Sequence, residues 1–252
     1  MPAFSGMAGP DWLIARPIAH RGLHDAAAGV IENTQSAIEA AVAAGYAIEV
    51  DLQVTADGDA MVHHDEALGR VTDGRGRIDA LTAAELRRVR FRATADRMLT
   101  IGDLCDLVSG RATLVLELKS RFDGDRRLVS RVGQVLAAYA GPAAAMSFDP
   151  WQVGMLQALA PGLPRGMVAQ GRRRSSERDG GGGNRGLAYL RRAAAARPQF
   201  TAYAVDDLPA AAPLLLRYVA RLPLLAWTVR NETQRCLARR WADQMIFEGF
   251  RP

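Results

Sequence analysis

Residues 47–65 read AIEVDLQVTADGDAMVHHD, and the division of this stretch decides the fold. It holds two apolar runs suited to buried strands, AIEVDLQ at 47–53 and AMVHHD at 60–65, separated only by VTADGD. A parallel pair needs a crossover of about a dozen residues or more, so the second run must return antiparallel beside the first. Asp57-Gly58 has the residue types of a two-residue type I′ hairpin loop. A loop of those two residues would set Asp51 opposite His64.

Working outward, similar apolar runs recur at PIAHR, TLVLELK, AAAMSF, RGMVA, FTAYAV, LPLLAWTV and QMIFEG. Between them lie stretches of helical periodicity, among them NTQSAIEAAVAAG, GDRRLVSRVGQVLAAYA and NETQRCLARR. Helix starts are marked by Thr82 followed by Glu85, and by Asp149 followed by Pro150. With AMVHHD set aside as a return strand, eight strands remain in strictly alternating βα order. That alternation over 252 residues predicts an α/β fold, a closed (β/α)8 TIM barrel, in a single domain. No glycine-rich phosphate fingerprint follows the first strand, which disfavours a dinucleotide-binding fold.

Composition narrows the class. Hydrophobic residues make up 49% and charged residues 23%, which excludes a disordered chain. The longest apolar runs fall short of the ~20 residues a bilayer span needs, so no integral membrane segment is expected. The opening MPAFSGMAGPDWLIARP has neither a positive n-region nor an apolar h-region, so it does not read as a secretory signal. Cys105 and Cys236 lie far apart without metal-type spacing, which fits a reducing cytoplasm. The net charge of +5 invites a nucleic-acid reading. Five arginines against Glu177 and Asp179 in residues 171–186 account for most of it, however, and a nucleic-acid surface needs its charge spread over a folded face. No nucleic-acid partner is expected.

The chemistry gathers in the first half of the chain. All four histidines, His20, His24, His63 and His64, fall in its first quarter. His20-Arg21-Gly22 closes the first strand, at the end where such barrels keep their reactive groups. Glu49 and Asp51 alternate along the second strand and so project to one side, and Glu117 and Lys119 repeat that spacing. Charged side chains inside apolar strands are costly unless they are paired or bind a cation. They could form a purely structural ion-pair network. Three carboxylates against one lysine leave negative charge over, which a hard divalent cation would satisfy through oxygen ligands.

These residues stand in a recognisable order. Ile18-Ala19-His20-Arg21-Gly22, Glu32-Asn33-Thr34, Ile48-Glu49-Val50-Asp51, Thr55-Ala56-Asp57-Gly58, His64-Asp65, Leu116-Glu117-Leu118-Lys119 and Ala226-Trp227-Thr228-Val229 together resemble the glycerophosphodiester phosphodiesterase family. The resemblance runs over nearly the whole chain. It implies a phospholipase-C-like TIM barrel with a small insertion near residues 66–100. It also implies one divalent cation, Mg2+ or Ca2+, held by Glu49, Asp51 and Glu117. His20 and His64 become the acid–base pair, with Arg21 and Lys119 on the phosphate. The implied reaction is hydrolysis of a small glycerophosphodiester to glycerol 3-phosphate and an alcohol. A lysophospholipase-D-like activity on lipid and a non-catalytic phosphodiester-binding relative are the alternatives. One departure stands out: family members often carry an aspartate in the turn after the last strand, where this chain has Phe247-Glu248-Gly249-Phe250.

The remaining assignments are local. Asn33 is expected to cap the following helix, with Glu32 beside it either favoured by the helix dipole or supporting the site. Trp227, near a strand's C-terminal end, is expected to wall the substrate pocket. His63 should point away from the site, and His24 should be a loop residue near the mouth. Residues 171–186, with three consecutive arginines and four consecutive glycines, read as a solvated loop on the catalytic face.

Overall fold

The computed structural model describes residues 9–171 and 185–252. Nine strands form one sheet: β1 (Ile18–Ala19), β2 (Ala47–Val54), β3 (Ala60–Val62), β4 (Leu114–Leu118), β5 (Ala143–Ser147), β6 (Arg165–Ala169), β7 (Phe200–Ala204), β8 (Leu224–Val229) and β9 (Gln244–Phe247). All neighbours pair in parallel except β2 and β3, and β1 pairs with both β2 and β9, which closes the ring. Eight parallel strands therefore make a barrel, and β3 hangs on β2 outside it. This is the TIM barrel expected from the alternation.

The helices follow the predicted order: α1 (Gln35–Ala43), α2 (Ala83–Leu86), α3 (Ile101–Val108), α4 (Arg127–Ala137), α5 (Pro150–Leu159), α6 (Arg185–Ala196), α7 (Ala211–Tyr218) and α8 (Glu232–Trp241). Thr82 and Glu85 form a reciprocal capping box on α2. Asp149 caps α5 by accepting from Trp151 N, with Pro150 in the first turn. Residues 81–90 (LTAAELRRVR) hold only the single turn of α2, because Val89 and Arg90 turn away to a bridge between Thr72 and Phe91.

Strand alternation separates two apolar layers. Ile48, Val50, Leu52, Leu114, Leu116 and Leu118 face the helices. Ala47, Val115, Met146, Val168, Ala202, Leu225 and Ile246 fill the barrel, whose floor is closed by Leu13 of the 3-10 turn Asp11–Leu13. Toward the strands' C-terminal ends the inward positions turn polar: Glu49 and Asp51 follow Ala47, and Glu117 follows Val115. Residues 66–100 carry an apolar group of their own, in which Leu68, Ile78, Leu86, Phe91 and Met98 pack on Ile31 and Met61.

The hairpin differs from its sequence reading. Leu52 pairs with Val62, Gln53 with Met61 and Val54 with Ala60, and His63 N donates to Asp51 O at 3.0 Å. Asp51 thus stands opposite His63, not His64. The loop has three residues, Ala56–Gly58, in place of two. Gly58 N bonds Thr55 O at 3.1 Å, Thr55 N bonds Asp59 O at 3.0 Å, and Gly58 takes a left-handed φ of 82°. That is a turn ending in a glycine bulge, the other common hairpin solution for these residue types. Asp57 stabilises it by accepting from Thr55 Oγ1 at 2.6 Å and from Ala83 N at 3.1 Å.

Candidate active site

Five strand ends build the site. β1 delivers His20 and Arg21, β2 delivers Glu49 and Asp51, β4 delivers Glu117 and Lys119, the segment after β3 delivers His64, and β9 leads into Glu248. Arg21 and Gly22 both take left-handed backbone, at φ 56° and 80°. A Cβ on Gly22 would fall 2.8 Å from the backbone carbon of Ala37, so the chain passes under α1 only with glycine there. The turn aims Arg21 N at Glu49 Oε2, 3.0 Å away.

Glu49, Asp51 and Glu117 are buried and offer carboxylate oxygens within 4.8 Å of one another. Each is differently placed. Lys119 Nζ lies 2.7 Å from Asp51 Oδ1 and also donates to Glu117. Burial works against ionising Asp51, yet Lys119 and Arg21 hold its carboxyl far below the usual range. Glu49 is pushed well above its ordinary value by burial and by the charges of Asp51 and Glu117. Its Oε1 is buried with no hydrogen-bond partner. An orphaned carboxylate oxygen beside two more carboxylates is a donor set suited to a hard divalent cation. The group is able to hold one.

His20 and His64 flank this group. His20 is largely buried, with Nε2 3.9 Å from Glu49 Oε2 and Nδ1 hydrogen-bonded to Glu248. Burial lowers its pKa, against the opposing pull of the Glu248 hydrogen bond. Burial also disfavours the Glu248 carboxylate, but the hydrogen bond from His20, the nearby His24 ring and the charges of His20 and Arg230 hold it strongly ionised. His64 Nδ1 is 2.7 Å from Asp65 Oδ1, so the ring's other nitrogen is left for a substrate. His64, Glu117, Lys119, Ser120 and Phe148 share a cavity of about 430 Å3. Trp227 meets Phe148 edge to face, ring centres 5.5 Å apart, and so backs one of the cavity's walls.

Arg21 reaches in two directions: Nη1 donates to Glu32 Oε1 at 2.8 Å, and Nε lies 3.2 Å from Asp51 Oδ2 without the alignment of a hydrogen bond. His63, its backbone paired with Asp51, is buried and kept neutral by that burial. His24 Nε2 lies 3.6 Å from Glu248 Oε2.

Two residues emerge that the sequence reading had missed or misplaced. Asn33 is no helix cap. It sits at φ 58°, buried, and the cap position belongs to Thr34. Asn33 Nδ2 donates to Asp51 Oδ2 at 2.9 Å, and its Oδ1 accepts from Asp51 N at 3.3 Å. The polar amide is spent on orienting a buried carboxylate, a use that an asparagine before a helix does not reveal. Glu248 holds His20 from the far end of the chain, and Arg230 Nε neutralises it at 2.5 Å. His20, His24 and Glu248 also have ligand atoms within 4.8 Å. The Glu49 group offers three carboxylates, one with an oxygen lacking a partner, and so suits a hard cation better than one carboxylate with two imidazoles. Residues 172–184, most of the predicted arginine- and glycine-rich loop, lie outside the described residues.

Comparison with known proteins meets this geometry. The sequence profile of the Glycerophosphoryl diester phosphodiesterase family matches residues 20–250. The chain belongs to that family. A glycerophosphodiester phosphodiesterase of Caldanaerobacter subterraneus is 34% identical over 111 residues, 41% of this chain and 44% of that protein. Glycerophosphodiester phosphodiesterase 1 of Bos taurus is 46% identical over 74 residues, 29% of this chain and 21% of its own length. The matched stretches span less than half of either relative. Among solved structures, an Oleispira antarctica phosphodiesterase in complex with sn-glycerol-3-phosphate superposes with a TM-score of 0.76 at 20% identity, covering 94% of this chain and 93% of that one. The Thermotoga maritima glycerophosphodiester phosphodiesterase gives 0.70 at 22% identity, covering 91% and 92%. These two likenesses carry the fold of the family: a parallel eight-stranded barrel with helices between its strands.

Proposed function

We propose that this chain is a single-domain, metal-dependent phosphodiesterase that cleaves glycerophosphodiesters to glycerol 3-phosphate and an alcohol. One observation carries the reading: the buried, unpartnered Glu49 Oε1 stands beside Asp51 and Glu117, with an imidazole on each flank. A divalent cation, Mg2+ or Ca2+, held by Glu49, Asp51 and Glu117 would supply positive charge to the phosphoryl oxygens as negative charge builds on them. Arg21 and Lys119 bind the same oxygens and orient the diester. His20, its Nδ1 proton engaged by Glu248, takes at Nε2 the proton of the attacking group, either water itself or the neighbouring glycerol hydroxyl, whose cyclic phosphate water then opens to glycerol 3-phosphate. His64, its Nδ1 held by Asp65 and its ring lining the cavity, gives a proton to the departing alcohol. The alcohol then leaves through the cavity beside Phe148, backed by Trp227. The resting shift of His20 toward the neutral base supports this division of labour.

Hydrolysis of glycerophosphocholine with and without EDTA tests the proposal. Release of glycerol 3-phosphate that stops with EDTA and returns with Mg2+ or Ca2+ is expected; turnover unaffected by chelation would overturn the metal role. A lipid substrate is a second reading, favoured by exposed Phe122 lining the cavity and by exposed Trp151 in the first turn of α5. Lysophosphatidylcholine in the same assay decides it. Lack of turnover on both substrates would leave a non-catalytic phosphodiester-binding relative. Among the described residues no helix is long and apolar enough to cross a membrane. Both cysteines are free, which supports a reducing, cytoplasmic setting.

A further inference from the structure

Arg70 lies in the segment after β3, outside the barrel, and touches none of the residues assigned above to the cation or the phosphate. Its contacts are nevertheless specific. Its Nη1 and Nη2 donate to the two oxygens of Glu32 at 3.0 and 2.5 Å, and its Nε donates to Asp65 Oδ2 at 2.6 Å. Each carboxylate continues inward. Glu32 Oε1 also accepts from Arg21 Nη1 at 2.8 Å, and Asp65 Oδ1 meets His64 Nδ1 at 2.7 Å. One guanidinium thus joins the support of the phosphate-facing arginine to the support of the proton-donating histidine. The whole path runs from His64 through Asp65, Arg70, Glu32 and Arg21 to Asp51.

We propose that Arg70 is a positioning residue that fixes the His64 ring relative to Arg21, and hence the proton donor relative to the bound phosphate. The proposal rests on the reading of His64 as the acid. The planar fork of arginine suits this role, because it offers donors in fixed directions to two carboxylates at once. Glu32 and Asp65 are largely covered, whereas the Arg70 side chain is 46% exposed. Exposed ion pairs contribute little to stability, so a purely structural staple here would be nearly neutral. Orientation is a different matter. Asp65 held by Arg70 keeps the proton-bearing tautomer and plane of His64, and a donor displaced by about 1 Å can lose on the order of a hundredfold in rate.

The test compares two diesters that differ in their need for an acid. Glycerophosphocholine releases an alkoxide that must be protonated, whereas the p-nitrophenyl ester of glycerol 3-phosphate releases a stable phenolate. Arg70→Ala should lower kcat/KM on glycerophosphocholine about 10- to 100-fold and on the nitrophenyl ester by less than about threefold. Arg70→Lys should show the same selective loss, since one ammonium cannot span both carboxylates in fixed geometry. Equal losses on the two esters would overturn the proposal in favour of a structural staple, as would an Arg70→Lys enzyme equal to wild type. His64→Ala on the same pair of esters tests the underlying assignment separately: no loss on the alkyl ester would remove His64 as the acid, whatever Arg70 does. If Arg70→Ala fails to fold, Arg70→Lys and Asp65→Asn carry the same comparison.

Discussion

Glu117 is the direct register partner of Asp51 across the β2–β4 pair, and Lys119, two residues on, closes with its ammonium on both carboxylates. The barrel thus holds its surplus negative charge partly neutralised. Asp51 carries the heavier load, because Arg21 and Asn33 also depend on it. Asp51→Asn should therefore cost both turnover and stability, with unfolding free energy falling about 3–5 kcal/mol because buried cations lose their partner. Thermal and denaturant unfolding of the metal-free protein check this. An unchanged midpoint would mean that Lys119 and Arg21 find other partners.

Glu49 should behave in the opposite way. Its folded pKa is raised by burial, so below the unfolded value of 4.5 the carboxyl is protonated in both states and its contribution is fully present. Between that value and the raised folded one, the folded state binds more protons, and stability falls as pH rises. The metal-free protein should lose melting temperature over this window, and Glu49→Gln should flatten the slope while abolishing metal-dependent turnover. Mg2+ or Ca2+ should restore melting temperature most at the alkaline end. A metal-free melting curve in which Glu49→Gln and wild type share one pH slope would refute the assignment.

The Glu248 contact to His20 gives a prediction in kcat. Glu248→Gln keeps the shape but removes the charge that stabilises the protonated ring, and should lower kcat about 10- to 100-fold with KM little changed. His24→Ala removes only the outer contact at 3.6 Å and should cost less than about threefold. Steady-state kinetics on glycerophosphocholine distinguish them. Comparable losses in the two variants would make His24 a working partner of His20.

Asn33 can be probed without disturbing its backbone. Glycine accepts the φ of 58° freely, so Asn33→Gly removes the amide alone. Loss of its bond to buried Asp51 should cost about 1–3 kcal/mol, beyond the small entropic cost of glycine. Asn33→Ala adds left-handed strain of about 1–2 kcal/mol and should be the worse of the two. The order of the two melting temperatures is the measurement, and alanine equal to glycine would show that the backbone conformation relaxes.

Much of the barrel was readable from period alone. Alternation along 47–53 put Glu49 and Asp51 on one face with Ala47, and that face is the barrel interior. The hairpin register was not readable, because Asp57-Gly58 suits a two-residue loop as well as the last two positions of a three-residue one. The choice was made by the Thr55 and Asp57 side chains, which favour the longer turn. Asn33 was misread because an asparagine before a helix has the same local signature whether it caps that helix or reaches across to another strand. Arg70 left no local signal, and Glu248 showed only as a departure in the turn after the last strand, with its partner unnamed. Glu32 lies 38 residues from Arg70 and His20 lies 228 from Glu248, and only the fold brings these pairs together.

That closure has a kinetic consequence. β9 docks between β8 and β1, and only then does Glu248 reach the ring nitrogen of His20. The proposed activity would therefore report closure of the ring, because the Glu248 contact to His20 needs β9 in place. During refolding, a lag between recovery of the helical signal and recovery of turnover would time the docking of β9. A chain cut after Val229 would keep the three proposed cation ligands and both proposed acid–base imidazoles, yet have no wall at Gln244–Phe247 to seal the ring. Turnover of the proposed substrate would then serve as a clock for barrel completion.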